Sequence, residues 1–253
     1  MNPYPCNTKE QKDAQRNYAA LISDPTLADH LYDALSDSKG GTIISTDLAR
    51  FLDPVYAAPA SGSPRDLAPS WEHAWRYAQG RLEREVANRK RRKIIQFLSG
   101  GWGAGKTHAA ATKPLSVDLT WDGTLAELPW AERSIDLCLK HGWKVVIFHV
   151  HRNVELALYG AIERAQTEGR SVPLRGLPGT HRQVQQTALA LYRRYQRNKA
   201  VQFVFFHNTG TRQVAAEGQI VTRDELAFRG ALHYCARYEA YHADIAEKIH
   251  APR

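Results

Sequence analysis

A three-layer α/β fold with a mostly parallel sheet is predicted by three observations on the sequence. Short apolar runs rich in Ile, Val and Phe, at 42–46, 94–98, 144–150 and 201–206, alternate with stretches of helical spacing. Strands separated by helices need crossover connections, so they lie parallel and both faces of the sheet are covered. One run, Ile94-Ile95-Gln96-Phe97-Leu98, leads into Gly100-Gly101-Trp102-Gly103-Ala104-Gly105-Lys106-Thr107, a full match to G-x-x-x-x-G-K-[ST]. The fold expected is therefore of P-loop NTPase type, with extra N- and C-terminal helices and ligands at the carboxyl ends of the strands.

In chain order, 1–41 is polar, with Leu21, Ile22, Leu27, Leu31 and Leu35 near helical spacing, and reads as an N-terminal helical segment ended by Gly40-Gly41. The core runs over 42–222. Its first strand, 42–46, is followed by a turn opening a short helix at Asp47. Residues 53–70 are rich in Pro, Ala, Ser and Gly and read as a loop, after which Ser70 caps a helix over 71–90. The P-loop strand and its helix come next, then an apolar stretch from Leu115 to Trp121 before Asp122-Gly123-Thr124. A helix follows from Pro129 to His141, then a strand over 144–150, helices over about 153–167 and 181–196, and a last strong strand over 201–206. A C-terminal helix is expected within 223–253.

The composition excludes several classes. At 43% hydrophobic and 24% charged, the chain matches ordinary soluble proteins. No apolar run approaches the roughly 20 residues of a membrane helix, and the first fifteen residues lack the apolar core of a secretory signal. Cys6, Cys138 and Cys235 are too scattered for a disulfide framework or a zinc site, so a cytoplasmic location is expected. The net charge of +8 favours anionic partners. The basic run 89–93 reads as a solvated helix end favoured by the macrodipole. It lacks the interleaved aromatics of a nucleic-acid module, so nucleic acid is not an expected partner.

The glycine-rich motif carries the clearest chemistry. Gly101, Gly103 and Gly105, with Trp102 and Ala104, let the backbone turn so that N–H groups face phosphates. The helix that follows adds its positive N-terminal end. Lys106 would reach the β- and γ-phosphates of ATP, and the Thr107 hydroxyl would hold Mg²⁺. The two longest later strands end in His149-Val150-His151 and Phe206-His207-Asn208, not in the Asp that motor ATPases and GTPases place there. That points to a kinase, whose second carboxylate lies in the acceptor site. Asp47 with Arg50, Asp122 with Thr124, and Arg164 with Arg170 are the clusters able to supply a carboxylate and cations there.

These residues resemble the zeta toxin family of P-loop kinases. Ile43 to Arg50 followed by Asp53-Pro54-Val55-Tyr56 is similar to its Asp-x-Phe-Arg strand and His-Pro-x-Tyr element, with Ala49 for Phe and Asp53 for His. Asp122-Gly123-Thr124 is similar to its Glu-Gly-Thr, and Arg164, Arg170 and His181 to two arginines and a helix-opening His. The order differs: the Asp-x-x-Arg strand follows the P-loop in the family and precedes it here. The resemblance implies Asp47 as general base, Arg50 on the acceptor's phosphates, Asp122 and Thr124 holding the acceptor, and Arg164 and Arg170 neutralising the transferring phosphoryl group beside Lys106. It also implies a small-molecule acceptor such as a UDP-N-acetylamino sugar, a toxin's role and an antitoxin partner. A different acceptor (another nucleotide, a polynucleotide end or an antibiotic) and a nucleotide switch without transfer are the alternatives. If the early strand lies elsewhere, Asp118 or Asp122 must be the base. His149-x-His151 lacks the further ligands of a metal site, Trp71, Trp75 and Tyr77 read as core, and Trp102 either covers the nucleotide base or packs outward.

Overall fold

The apolar runs build one six-stranded sheet in the computed structural model, which describes residues 5–59, 65–88, 93–168, 172, 176–208 and 218–221. The strands are β1 (Ile43–Ser45), β2 (Ile94–Ser99), β3 (Leu119–Asp122), β4 (Lys144–Arg152), β5 (Val201–Asn208) and β6 (Gly218–Val221). Their order is β1-β3-β2-β4-β5-β6. The first five are parallel and β6 returns antiparallel to β5, so the sheet is mostly parallel as expected. The P-loop strand β2 is central, flanked by β3 and β4.

The helices are α1 (Lys9–Ile22), α2 (Pro25–Asp33), α3 (Thr46–Ala49), α4 (Pro54–Ala57), α5 (Trp71–Asn88), α6 (Lys106–Thr112), α7 (Leu128–Lys140), α8 (Val154–Glu168) and α9 (Leu177–Tyr195). Local chemistry explains several boundaries. Thr8 and Gln11 form a reciprocal capping box at α1, and Asp24 caps α2 with Pro25 in its first turn. The N-terminal segment is thus two helices, split where Asp24-Pro25 stops one and starts the next.

Strand alternation sorts the side chains into two cores. On one face Ile44, Phe97, Trp121, Ile147 and Phe203 pack under α5, α7 and α9. Trp121 anchors this layer between Trp75 of α5 and Trp130 of α7, with ring centroids 5.9 and 4.7 Å away. On the other face Leu98, Phe148, Val150, Val204 and Phe206 pack with Ala109 of α6. Tyr18 of α1 and Ala28 and Tyr32 of α2 join Ala49 of α3 and Ala74 and Tyr77 of α5 in a third cluster beside β1. Arg81 of α5, 5% exposed, pins α2 there through Asp29 and Asp33, each 3.0 Å away.

The structure departs from the sequence reading at several points. Ser70 does not cap α5: its hydroxyl is buried without a hydrogen-bond partner, and a turn in which Trp71 N–H reaches Leu67 O leads into the helix. The expected loop 53–70 contains α4, which Asp53 caps by accepting from Val55 N–H at 3.0 Å with Pro54 in the first turn. Helix α9 begins at Leu177, so His181 sits inside it rather than opening it. Strand β6 lies beyond the last strong apolar run, in Gly-Gln-Ile-Val, too short and weakly apolar to signal itself. The C-terminal helix, the run 89–92 and Arg170 lie outside the described residues.

Trp121 sits 1% exposed at the meeting of sheet, α5 and α7. Trp121→Ala should cost about 3–5 kcal/mol of stability, seen as a lower midpoint in denaturant unfolding.

Candidate active site

Five consecutive carbonyls of the glycine-rich turn are each held by a side chain. Lys106 Nζ donates to Gly100 O (3.0 Å) and Gly101 O (3.3 Å). His181 Nε2 donates to Trp102 O at 2.7 Å, Arg152 Nη1 to Gly103 O at 3.1 Å, and Asn208 Nδ2 to Ala104 O at 2.9 Å. These donors arrive from α9 and from the carboxyl ends of β4 and β5. A peptide whose carbonyl is held on one side turns its N–H to the other, which is how a backbone nest for anions is built. Ala104 differs, its N–H closing a turn onto Gly101 O at 3.2 Å.

Close approach sets two of the glycines. A Cβ on Gly101 would lie 2.2 Å from the His181 ring, and one on Gly103 would lie 2.1 Å from Ala157 O of α8. Gly103 also has φ of +72°, which side-chain-bearing residues rarely adopt. The Trp102 side chain is half-buried against the cluster of Val154, Ala161 and Leu177 and lies beside Gly176.

At the front of the turn Thr107 Oγ1 donates to Asp122 Oδ2 at 3.3 Å. Asp122 ends β3, the strand hydrogen-bonded to the P-loop strand. A strand-end carboxylate is therefore present beside the P-loop, contrary to what the ends of β4 and β5 suggested. The sequence reading placed Asp122 on the acceptor instead, the four residues of β3 being too few to mark a strand of the central sheet. The carbonyl of Thr124 accepts from Gly100 N–H at 3.2 Å and ties this turn to the P-loop.

Asp47 reaches the same cleft from the other side. Strand β1 pairs parallel with β3, setting Ser45 level with Asp122, and the chain then turns into α3. Ser45 Oγ caps α3 by accepting from Asp47 N–H at 3.2 Å. Arg50 Nη1 donates to Asp47 Oδ1 at 2.8 Å, and Arg164 Nη2 of α8 lies 3.6 Å from Asp47 Oδ2. The Arg50 guanidinium lies 4.8 Å over the Trp71 ring.

The ionisable groups feel one another. Burial lowers the Lys106 pKa, opposed by the carboxylates of Asp122 and Asp47. Burial raises that of Asp122, which Lys106 opposes and Asp47 reinforces. Thr107 and Asp122 offer adjacent hard oxygen donors, the donor set that suits Mg²⁺. Asp47, Arg50, Lys106, Thr107, Asp122, Thr124 and Arg164 thus gather at the carboxyl ends of β1, β3 and β2. Sequence reading missed Arg152, whose one signal was its place as the last residue of a parallel strand.

Behind the P-loop lie buried imidazoles. His149 Nδ1 meets Ser99 Oγ at 3.0 Å and His151 Nδ1 meets Gln185 Nε2 at 3.0 Å. Burial above all lowers the pKa to about 4 for His149 and His181 and to about 3 for His151. No cluster able to hold a metal ion occurs among the described residues, and no helix among them is long and apolar enough to cross a membrane.

The family model for zeta toxin matches residues 111–218. Over this stretch the chain is similar to the zeta toxin family. The stretch runs from α6 through β5 to the start of β6, leaving the P-loop glycines, β1 and Asp47 on its N-terminal side. Solved structures similar to this chain include the complex of AvrRxo1-ORF1 with AvrRxo1-ORF2 containing sulphate ions, at 10% identity, covering 64% of this chain and 79% of that one, with a TM-score of 0.42. A structure of the PezAT chromosomal toxin–antitoxin system of Streptococcus pneumoniae is similar at 12% identity over 98% of this chain and 99% of that one, with a TM-score of 0.40. No curated protein matches the chain.

Two outcomes are expected from this geometry. Gly103→Ala should weaken any binding of phosphates by this turn at least ~tenfold, since either the P-loop or α8 must yield, measurable by titration calorimetry with a nucleotide. The folded pKa values of His149 and His181 lie below the ordinary 6.5, so the fold binds fewer protons than the unfolded chain. That stability is present above pH 6.5 and lost as pH falls through about 4, at up to about 1.4 kcal/mol per pH unit for each group. Melting temperatures should therefore drop on acidification, less steeply in His149→Gln; equal slopes would refute this.

Proposed function

We propose that this protein is a zeta-toxin-like phosphotransferase that moves the γ-phosphate of ATP to the hydroxyl of a small anionic acceptor. The observation that carries the reading is the meeting of Asp47, bracketed by Arg50 and Arg164, with Lys106, Thr107 and Asp122 in one cleft. A pure nucleotide switch has no use for a second carboxylate facing two arginines beside the P-loop.

The nest binds the phosphates, and Lys106 exchanges its bonds to Gly100 O and Gly101 O for β- and γ-phosphate oxygens. Thr107 and Asp122 are the residues that would hold Mg²⁺, which would help to neutralise negative charge on the phosphates. Asp47 accepts the proton of the acceptor hydroxyl as that oxygen bonds to phosphorus and the bond to ADP breaks. Arg164 neutralises charge on the phosphoryl group in transit, with Arg170 proposed beside it. Arg50 orients Asp47 and meets an acceptor phosphate.

The family likeness extends this reading to an acceptor such as a UDP-N-acetylamino sugar, held with the help of Asp122 and Thr124, and to an antitoxin partner. The net charge of +8 suits an acceptor bearing phosphates. The bond of Asp122 to Thr107 favours a role for Asp122 at the cation over one at the acceptor.

Transfer of label from ATP to UDP-N-acetylamino sugars and other acceptors tests the reading. Lys106→Ala should abolish transfer, and Asp47→Asn should lower kcat by roughly 10²–10⁴. Asp122→Asn should raise the Mg²⁺ requirement by roughly tenfold or more. Tight ATP binding without transfer to any acceptor would sink the kinase and leave the switch.

A further inference from the structure

We propose that the buried hydroxyls of Tyr18 and Tyr32, carried on the two N-terminal helices, are the positioning groups that hold Asp47 and Arg50 in register with the P-loop. The inference rests on the reading of Asp47 as the acceptor's base.

The element bearing Asp47 has little to hold it. Strand β1 is three residues long and among the described residues pairs only with β3, and α3 is four residues long. Isolated helices that short are unstable, and an edge strand leaves one row of backbone groups unpaired. The N-terminal helices supply what is missing. Tyr32 Oη donates to Ile43 O at 3.0 Å and accepts from Ser45 N–H at 2.8 Å, taking the place of a neighbouring strand. Ser45 is also the residue whose hydroxyl caps α3 at Asp47. Tyr18 Oη donates to Ala49 O at 2.6 Å, immediately before Arg50. One hydroxyl thus grips the backbone two residues before Asp47 and the other two residues after it.

Both side chains are essentially without solvent exposure, at 1% for Tyr18 and 0% for Tyr32. Burial above all raises both phenol pKa values, so the hydroxyls remain donors over any working pH. Their helices are fixed in turn, α2 through Asp29 and Asp33 on Arg81, and α1 through Gln11 Nε2 donating to Asp66 at 2.8 Å. A reacting carboxylate displaced by about 1 Å can lose ~10²-fold in rate, so this backbone grip belongs to catalysis as well as to folding.

The test replaces each hydroxyl by hydrogen. Tyr18→Phe and Tyr32→Phe should each lower kcat by roughly 10–100-fold while ATP affinity, set by the P-loop, stays within about twofold. Tyr77→Phe is the control. It is buried in the same cluster and bonds Asp29 at 3.0 Å, with no bond to β1 or α3. It should lower the melting temperature without lowering kcat below the transition. Wild-type kcat in Tyr18→Phe and Tyr32→Phe, with Asp47→Asn inactive, would overturn the inference and leave the base assignment standing. An equal kcat loss in Tyr77→Phe would overturn it too, as general loosening. Asp47→Asn at the wild-type rate would remove the base reading and this inference with it.

Discussion

The parallel pairing of β1 with β3 is the constraint on which the site depends. Three residues of β1 lie against the strand ending in Asp122, with Ser45 level with that carboxylate. Because β3 is itself hydrogen-bonded to the P-loop strand, the register transmits position from Lys106 and Thr107 across to Asp47. A slip of one residue would turn Ile44, fully buried in the main core, to the opposite face. The hydrophobic cost of that slip fixes the register, and with it the place where the chain turns into α3. A packing requirement on one apolar residue thus becomes a positioning requirement on a carboxylate two strands from the nucleotide cradle.

The cleft so formed is an alternation of charges. Lys106, Arg50 and Arg164 face Asp47 and Asp122, each arriving on a different element except Asp47 and Arg50. Burying Lys106, Asp122 or Arg50 alone would be costly, and the neighbours supply the compensation. Phosphates entering the nest would draw Lys106 from its two carbonyls and shift Arg164 towards new negative charge. Asp47 would then share fewer of its cations. An arrangement that ties the carboxylate to an arginine before substrate binds, and offers that arginine a better anion afterwards, suits a base needed only when both substrates are present.

Much of this was legible in the sequence, for reasons that differ by element. The P-loop was readable because its spacing is local and its residues have fixed tasks. Strands β2, β4 and β5 were readable because central parallel strands are apolar throughout. Asp47 and Arg50 were found through likeness to a family element, against the order along the chain, and pairing supplied what order could not, since a strand's place is set by its neighbours. Arg152 was not readable, because its task is to hold Gly103 O and nothing local to Arg152 announces a partner 49 residues away. Ser70 misled because a serine before an apolar run resembles a cap, whereas here a turn from Leu67 enters the helix first. Strand β6 was missed because antiparallel pairing to β5 supplies what its own four residues do not signal.

The cradle and the acceptor side are held by different means, and the difference follows from what each must do. The P-loop carbonyls are gripped by His181, Arg152 and Asn208 on long elements of the sheet and its covering helix, with the glycines cut to fit His181 and α8. Under the proposed function that side would bind a triphosphate, and rigidity would serve it. The acceptor side stands on a three-residue strand that lies at the edge of the sheet among the described residues. An edge is where a chain can be re-routed without breaking the central pairing, since nothing threads past it. The strand bearing the carboxylate can therefore enter from the N-terminal direction and still finish at the same end of the sheet, provided the helices that precede it cover the exposed edge. The unusual order along the chain and the close packing of α1 and α2 against β1 and α3 are then two consequences of one arrangement.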